Sequence, residues 1–556
     1  SKPRTIVIVG GVAGGASAAA RARRMNEHAN IIMLEKDEHV SFANCGLPYY
    51  VGGEIQNRDK LLVATPEKFR TWFNVDARTL HEVTAIDRNA HTVDVVNKRS
   101  GDKETITYDK LILAPGAAPI IPPIEGIRES ENVFTLRNVA DVDRLKGFIN
   151  ERKPRRAVIV GAGFIGLEMV EQLHHLDIEV SLVELVDQVL PPLDPDMARM
   201  IEQELTDHGV KLCVGNGLKD LQISGGRAER VVLDDGTTLE ADMVVLGIGV
   251  RPNTKLAEDA GLEIGSTGGI WVNRFMQTSD PSIYAVGDAV EYVNGVADMH
   301  MRIPLAGPAN RAGRIAGEHA ATGMAPKMAP VLGTAIVRVF GKTAAITGMS
   351  EKLAAKLSQT VKAVWVPGAH HVGYYPGAEP MMVKLIYDPA TEDVVGAQIV
   401  GGAGVDKRID VIATVIHFGG DVDDLAGLDL AYAPPFGGAK DPAHMAAFVA
   451  QNDLRHVDSL VSPRELGELD DDTQLLDVRN PDEWEAGHLQ GAKWMPLTEV
   501  RDRLDQLDKN KPVVTYCKGG QRSYYVTRML RQHGFKDVGT LSGGVDMQDN
   551  LVKDDE

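Results

Sequence analysis

Two segments of one chain, TIVIVGGVAGGASAAARARRMNEHANIIMLEKD and AVIVGAGFIGLEMVEQLHHLDIEVSLVELVD, constrain its fold more than anything else in it. Each reads as an apolar strand, a glycine turn, a helix and a second strand that ends on a carboxylate, Glu35 in the first and Glu184 in the second. Glycines let the backbone approach a pyrophosphate at a helix N-terminus, and a strand-end carboxylate accepts hydrogen bonds from ribose hydroxyls. The second copy carries the full set, Gly161, Gly163 and Gly166; the first keeps Gly10 and Gly15 but has Val12 in the middle. Two such units imply two dinucleotides. Glu184 predicts NADH over NADPH, because a carboxylate there bonds a free 2′-hydroxyl and repels a 2′-phosphate, and the following LVDQVL offers no cation to reverse the choice.

Lys2 and Arg4 ahead of TIVIVGGVAGGASAAA imitate a signal peptide, but the glycine cluster interrupts any apolar core. No other apolar run approaches the length of a membrane span, so no membrane partner is expected. A formal charge of −19 argues against general nucleic-acid binding, which needs basic surface. The three cysteines, Cys45, Cys213 and Cys517, lie far apart without CxxC or histidine-rich spacing. Neither a disulfide framework nor a metal site is expected, and a reducing, cytoplasmic setting fits. Cys213, in GVKLCVGNG, reads as buried packing, and the adjacent His370 and His371 as structural.

Between and after the repeats stand LILAPGAAP, with Gly116, and SIYAVGDAVEY, where Gly287 and Asp288 follow an apolar strand and the carboxylate can meet a ribityl or phosphate-linked hydroxyl. The order of these motifs resembles the two-dinucleotide flavoprotein disulfide reductases over roughly residues 1 to 330. That resemblance implies FAD in the first fold and NAD(P)H in the second, with an FAD-binding domain at 1–117 and 248–330 and an NAD(P)H-binding domain at 118–247. Residues 331–450 resemble the family's dimerisation domain, implying a homodimer, and a linker is expected near 450–458.

In SFANCGLPYYVGG one cysteine stands where many members of that family have CxxxxC. A lone thiol stores oxidising equivalents as a sulfenic acid or as a mixed disulfide with a small thiol. Peroxidase-type relatives carry a histidine in the first glycine turn; here Ala13 occupies it. SFANCGLPYYVGG, GYYPG and AYAPPF are similar to the coenzyme A-disulfide reductases. By that resemblance Ser17, Arg21, Arg24, Ser41, Asn44, Asn310 and Lys440 contact coenzyme A, while Tyr375 and Tyr432 approach Cys45 across a subunit interface.

The tail, with LLDVRNPDEWEAGHLQGA and VVTYCKGGQRSYYVTRML, resembles a rhodanese domain, expected over 459–556. Cys517 ends a strand, Gly519 and Gly520 form a tight loop, and a helix is expected from Arg522; such a loop aims backbone N–H groups at the sulfur and stabilises a thiolate or persulfide. The whole reads as an α/β chain of two Rossmann-like domains, an α+β dimerisation domain and an α/β rhodanese domain. The implied activity is NADH-dependent, FAD-dependent reduction of persulfides, polysulfides and coenzyme A disulfide through Cys45, with Cys517 and Arg522 relaying sulfane sulfur. Two alternatives stand beside it: an NADH peroxidase or oxidase working through a Cys45 sulfenate, and a non-catalytic sulfur carrier or redox-sensing scaffold.

Overall fold

The computed structural model describes residues 2–553. These fall into two compact units, one running to Pro191 and including Glu202–Gly333, the other joining Pro192–Ile201 to the chain from Thr334 onward.

The first unit holds two five-stranded parallel sheets, each built around a strand that runs into a glycine turn. In one, Thr5–Val9 lies between Asn30–Leu34 and Lys110–Leu113, flanked by Asp76–Arg78 and Ile283–Ala285. In the other, Arg156–Val160 lies between Glu179–Val183 and Met243–Leu246, flanked by Lys211–Cys213 and Val133–Phe134. After their first residues the central strands are apolar because both sheet faces are covered: Ile6, Val7, Ile8, Val158 and Ile159 are fully buried. Each sheet carries a three-stranded antiparallel meander, His81–Thr107 and Leu218–Glu240. The helix Gly14–Met25 that leaves the first turn packs against Ala306–Thr322. The two backbones come so close that a Cβ on Gly313 or Gly317 would lie 2.3 Å from the carbonyl oxygen of Gly14 or Ala18.

In the second unit a five-stranded antiparallel sheet, in the order Ala335–Val339, Lys342–Gly348, Val394–Gly401, Pro380–Tyr387 and Lys362–Ala369, is covered by the helices Val405–His417 and Pro442–Leu454. A parallel sheet follows, with Val513–Tyr516 at its centre between Gln474–Asp477 and Val538–Leu541. The two sheets are joined directly, since the Trp365 N–H donates to Ser542 Oγ at 3.0 Å and Arg464 pairs with Glu351 at 3.0 Å. Glu351 belongs to a buried cluster in which the fully enclosed Lys384 ammonium meets Asp194 at 2.9 Å, Asp196 at 3.1 Å and Glu351 at 2.6 Å. Burial opposes that charge, but the three carboxylates outweigh it and hold the lysine above its usual range. No helix among the described residues is long and apolar enough to cross a membrane.

Candidate active sites

The two glycine turns repeat one geometry. Gly10 and Gly161 have φ of 98° and 107°, and a Cβ on either would stand 2.0 or 2.1 Å from the carbonyl oxygen of Ala114 or Gly247 on the adjoining strand's end. Gly15 and Gly166 fuse each helix to its own strand, their Cβ positions lying 1.9 Å from the carbonyl oxygens of Gly10 and Gly161. Gly163 differs: nothing stands within 4 Å of its Cβ position, and the same is true of Gly116 and Gly287. These open positions suit a close-approaching phosphate chain. Val12 takes the corresponding place in the first turn and is half-buried, and the turn accommodates it with Ala13 at φ 46°.

The carboxylates match as well. Glu35 accepts the Gly11 N–H at 3.1 Å and the Asp37 N–H at 2.8 Å; Glu184 accepts the Ala162 N–H at 2.8 Å and the Val186 N–H at 3.1 Å. A carboxylate has about four acceptor sites, so each keeps capacity for a ribose diol. Burial pushes the Glu35 carboxyl up. Asp288, half-buried behind Gly287, is raised for the same reason. The residues present therefore fit two dinucleotides.

Cys45 sits in the short turn Asn44–Gly46 that opens into the helix Leu47–Val51, whose Leu47, Pro48 and Val51 form a buried floor beneath an exposed thiol. Burial on that side pushes the thiol up, and the carboxylates of Glu168 and Asp288 push it further. Glu168 was not among the expected residues; it lies two residues beyond Gly166 on the helix Phe164–His175, so both glycine-turn folds contribute charge near one sulfur. Its only sequence signal is that place in the helix after the second turn.

Of the residues expected around coenzyme A, the structure joins Ser17 to Asn310, whose side chains hydrogen-bond at 2.6 Å across the two packed helices. Ser41 is held at φ 47° with its N–H on Gly11, and Asn44 is exposed beside Cys45. The Arg21 guanidinium is clamped by Glu318, with Nε at 3.0 Å and Nη2 at 2.6 Å. Arg24 is exposed, and burial together with its neighbours Arg21 and Arg314 lowers it. The exposed Arg311 and Arg314 complete this cationic surface. Sequence reasoning missed them, although NRAGR places them one and four residues beyond Asn310 on one helix.

The other expected contacts lie in the second unit. Tyr375 and Tyr432 are 40% and 45% exposed, Tyr374 shares a 3.0 Å hydroxyl hydrogen bond with Tyr432, and Lys440 is exposed. The His370 and His371 rings lie tilted against each other with centroids 4.1 Å apart; His370 Nδ1 accepts the Glu379 N–H and His371 Nδ1 contacts the Val372 carbonyl, so both rings serve the local backbone. Cys213 is only half-buried, a correction to its reading as core: it ends the edge strand Lys211–Cys213 and packs on the rim of the second parallel-sheet core. Among the described residues one metal-sized group exists, Glu54, Glu171 and His175, none of them an expected ligand.

Cys517 is buried just beyond the strand Val513–Tyr516. Its sulfur accepts the Gly520 N–H at 3.1 Å and faces the Ser523 hydroxyl at 3.5 Å. Gly520 makes the turn at φ 118°, and the helix Gln521–Gln532 starts one residue earlier than expected. Arg522 is bidentate to Glu483, Nη1 to Oε2 at 2.6 Å and Nη2 to Oε1 at 2.8 Å. That pair holds the Glu483 carboxyl down at about 2 and raises Arg522, to which the Cys517 sulfur adds. Ser523 and Glu483 were not foreseen; the second lies in NPDEWEAGH, where only its contact gives it meaning.

Paired dinucleotide turns, one exposed thiol beside them and a second thiol in a hydrogen-bonded loop define a two-dinucleotide thiol oxidoreductase joined to a sulfur-handling domain. Residues 4–313 match the pyridine nucleotide-disulphide oxidoreductase model, 334–443 the dimerisation domain of that family and 462–547 the rhodanese-like domain. The chain belongs to the pyridine nucleotide-disulphide oxidoreductase family, with a rhodanese-like domain at its C-terminal side. It is 34% identical to a coenzyme A disulfide reductase of Staphylococcus aureus over 447 residues, 80% of this chain and 99% of that one. The crystal structure of reduced Bacillus anthracis CoADR-RHD is similar with a TM-score of 0.95 at 44% identity, covering 98% of this chain and 97% of that one. A NAD-dependent persulfide reductase from A. fulgidus is similar with a TM-score of 0.92 at 38% identity, covering 98% and 100%.

Proposed function

We propose that the chain is an NADH-dependent FAD enzyme that reduces persulfides, polysulfides and coenzyme A disulfide through Cys45, acting as a homodimer. The observation that carries this reading is the solitary Cys45 beside two dinucleotide turns, in a chain whose three cysteines are all free thiols and whose third is cradled in a sulfur-binding loop. Residues 1–117 with 248–330 would hold FAD, through Gly10, Gly15, Glu35, Gly116, Gly287 and Asp288. Residues 118–247 would hold NADH, through Gly161, Gly163, Gly166 and Glu184. Residues 331–450 would form the dimer contact, carrying the exposed Tyr375, Tyr432 and Lys440 toward Cys45 of the other copy, and 459–556 the sulfur-transfer domain.

Ser17, Asn310, Ser41 and Asn44 would line the coenzyme A path, with Arg24 as phosphate partner and Arg21 acting only if Glu318 releases it. The Cys45 thiolate attacks the inner sulfur of a persulfide, the S–S bond breaks, and hydrosulfide departs as the better leaving group. Cys45 is left in a mixed disulfide with coenzyme A. NADH and FAD, when bound, supply the electron pair that returns Cys45 and coenzyme A to thiols.

Anaerobic NADH consumption by the holoprotein with coenzyme A persulfide, polysulfide, coenzyme A disulfide and peroxide tests the reading. Turnover is expected with the three sulfur substrates and to be fastest with persulfide; turnover with peroxide alone would contradict it, and a colourless protein that NADH does not reduce would return the carrier alternative.

A further inference from the structure

The cations around the Cys517 loop are all spoken for. Arg522 forms its two-point contact with Glu483, Arg479 on the neighbouring strand's end forms a buried pair with Asp477 at 2.7 Å, and Lys518, next to the thiol, meets Asp546 at 2.6 Å. What the sulfur itself receives is one backbone N–H, one hydroxyl and the Arg522 guanidinium, whose charge is already shared with Glu483. Such donors suit a small polarisable sulfur bearing one charge. They do not offset a dianion.

We propose that the Glu483–Arg522 ion pair sets the donor class of the Cys517 loop, admitting sulfane sulfur carried on a thiol and disfavouring thiosulfate. This rests on the reading of Cys517 as a sulfur acceptor. With a persulfide R–S–SH, the Cys517 thiolate attacks the outer sulfur, the S–S bond breaks, R–S⁻ leaves, and the hydrogen stays on the sulfur now carried by Cys517; one negative charge is present throughout. With thiosulfate the same attack expels sulfite, and three negative charges gather at the loop before the bond breaks. Like charges a few ångströms apart in a partly dry site repel strongly unless a cation is free to meet them. Arg522 is the only guanidinium on the loop, and Glu483, whose carboxyl is held far below neutrality, keeps it occupied at every working pH. Glu483 thus acts through Arg522, as a specificity-setting group that does not itself touch the sulfur.

The full-length holoprotein is treated anaerobically with cysteine persulfide or with thiosulfate, and persulfide on the Cys517 peptide is followed by mass spectrometry. Loading from cysteine persulfide is expected to exceed loading from thiosulfate by roughly a hundredfold. Glu483→Gln keeps the amide acceptor that caps the helix Pro481–Ala486 and removes the charge, and should raise the thiosulfate-to-persulfide ratio about tenfold. In unaltered protein methanethiosulfonate, a monoanion attacked at the same kind of sulfur, should load about tenfold faster than thiosulfate, which keeps the test open if the variant does not fold. Equal loading from thiosulfate and persulfide, an unchanged ratio in folded Glu483→Gln, or equal loading from the two anions would each overturn the donor rule alone. Loading from no donor would remove the sulfur-acceptor reading with it.

Discussion

Cys45 and Cys517 are the two reactive-looking thiols of one chain, and their surroundings are opposite. Cys517 is buried and its own loop supplies an N–H, a hydroxyl and a nearby guanidinium. Cys45 is exposed and faces carboxylates on both dinucleotide folds, which push its thiol up. The first site is organised by the chain alone to hold a sulfur atom. The second lies beside both dinucleotide turns, and in the proposed reading its thiolate is favoured by the groups that bind there, which ties its reactivity to turnover. In the proposed reading that division gives electron transfer to Cys45 and sulfur uptake to Cys517.

The largest effect that would break the comparison comes from Cys45→Ser. In the proposed reading every electron leaving the cofactors for sulfur passes this thiol, so NADH turnover with all sulfur substrates should fall at least about a thousandfold, while FAD binding and flavin reduction by NADH persist. Cys517→Ser should act selectively, lowering polysulfide turnover about tenfold or more and leaving coenzyme A disulfide reduction near the unaltered rate. Equal losses for both substrates would erase the division of labour. A smaller effect sharpens the electrostatic half of the contrast. Removing the Glu168 charge by Glu168→Gln should lower the Cys45 thiol toward its usual range and speed its alkylation at pH 8 by roughly threefold to tenfold, with Cys517 alkylation as the internal reference.

The smallest effect concerns Asp458, which leads into the domain of Cys517. Its buried carboxyl is pushed up to about 6 although it accepts from Ser459 and Thr540. A raised acid favours the folded state when protonated, so this contribution is fully present below about pH 4 and is lost as pH rises through 6. Asp458→Asn keeps the acceptor; its stability gain over the unaltered protein should grow from near zero at pH 4 to on the order of 1 to 3 kcal/mol at pH 7.5, read by denaturant titration.

The parts legible in the sequence are those whose geometry is local. Gly15 and Gly166 lie just beyond the glycines whose carbonyl oxygens forbid a side chain there, and the glutamates that end the second strands bond the turns' own N–H groups. The loop from Cys517 to Arg522 is equally short-range. Contacts that cross the chain were not legible. Arg21 offered a cation, but Glu318, nearly three hundred residues away, occupies it, and Asp194 lies in a segment that joins Lys384 in the second unit. Glu483 and Ser523 look like ordinary helix-end residues until the fold brings them to Arg522 and Cys517.

The central claim is that one thiol, Cys45, carries the substrate's sulfur as a mixed disulfide. Holoprotein freed of bound coenzyme A by NADH reduction, desalted and returned to oxidised flavin with Cys45 as a thiol, then mixed with one equivalent of coenzyme A persulfide without NADH, should release about one equivalent of hydrosulfide and carry coenzyme A on the Cys45 peptide in the mass spectrum. Coenzyme A found on Cys517 instead, or Cys45 found as a sulfenic acid with no coenzyme A attached, would contradict the account.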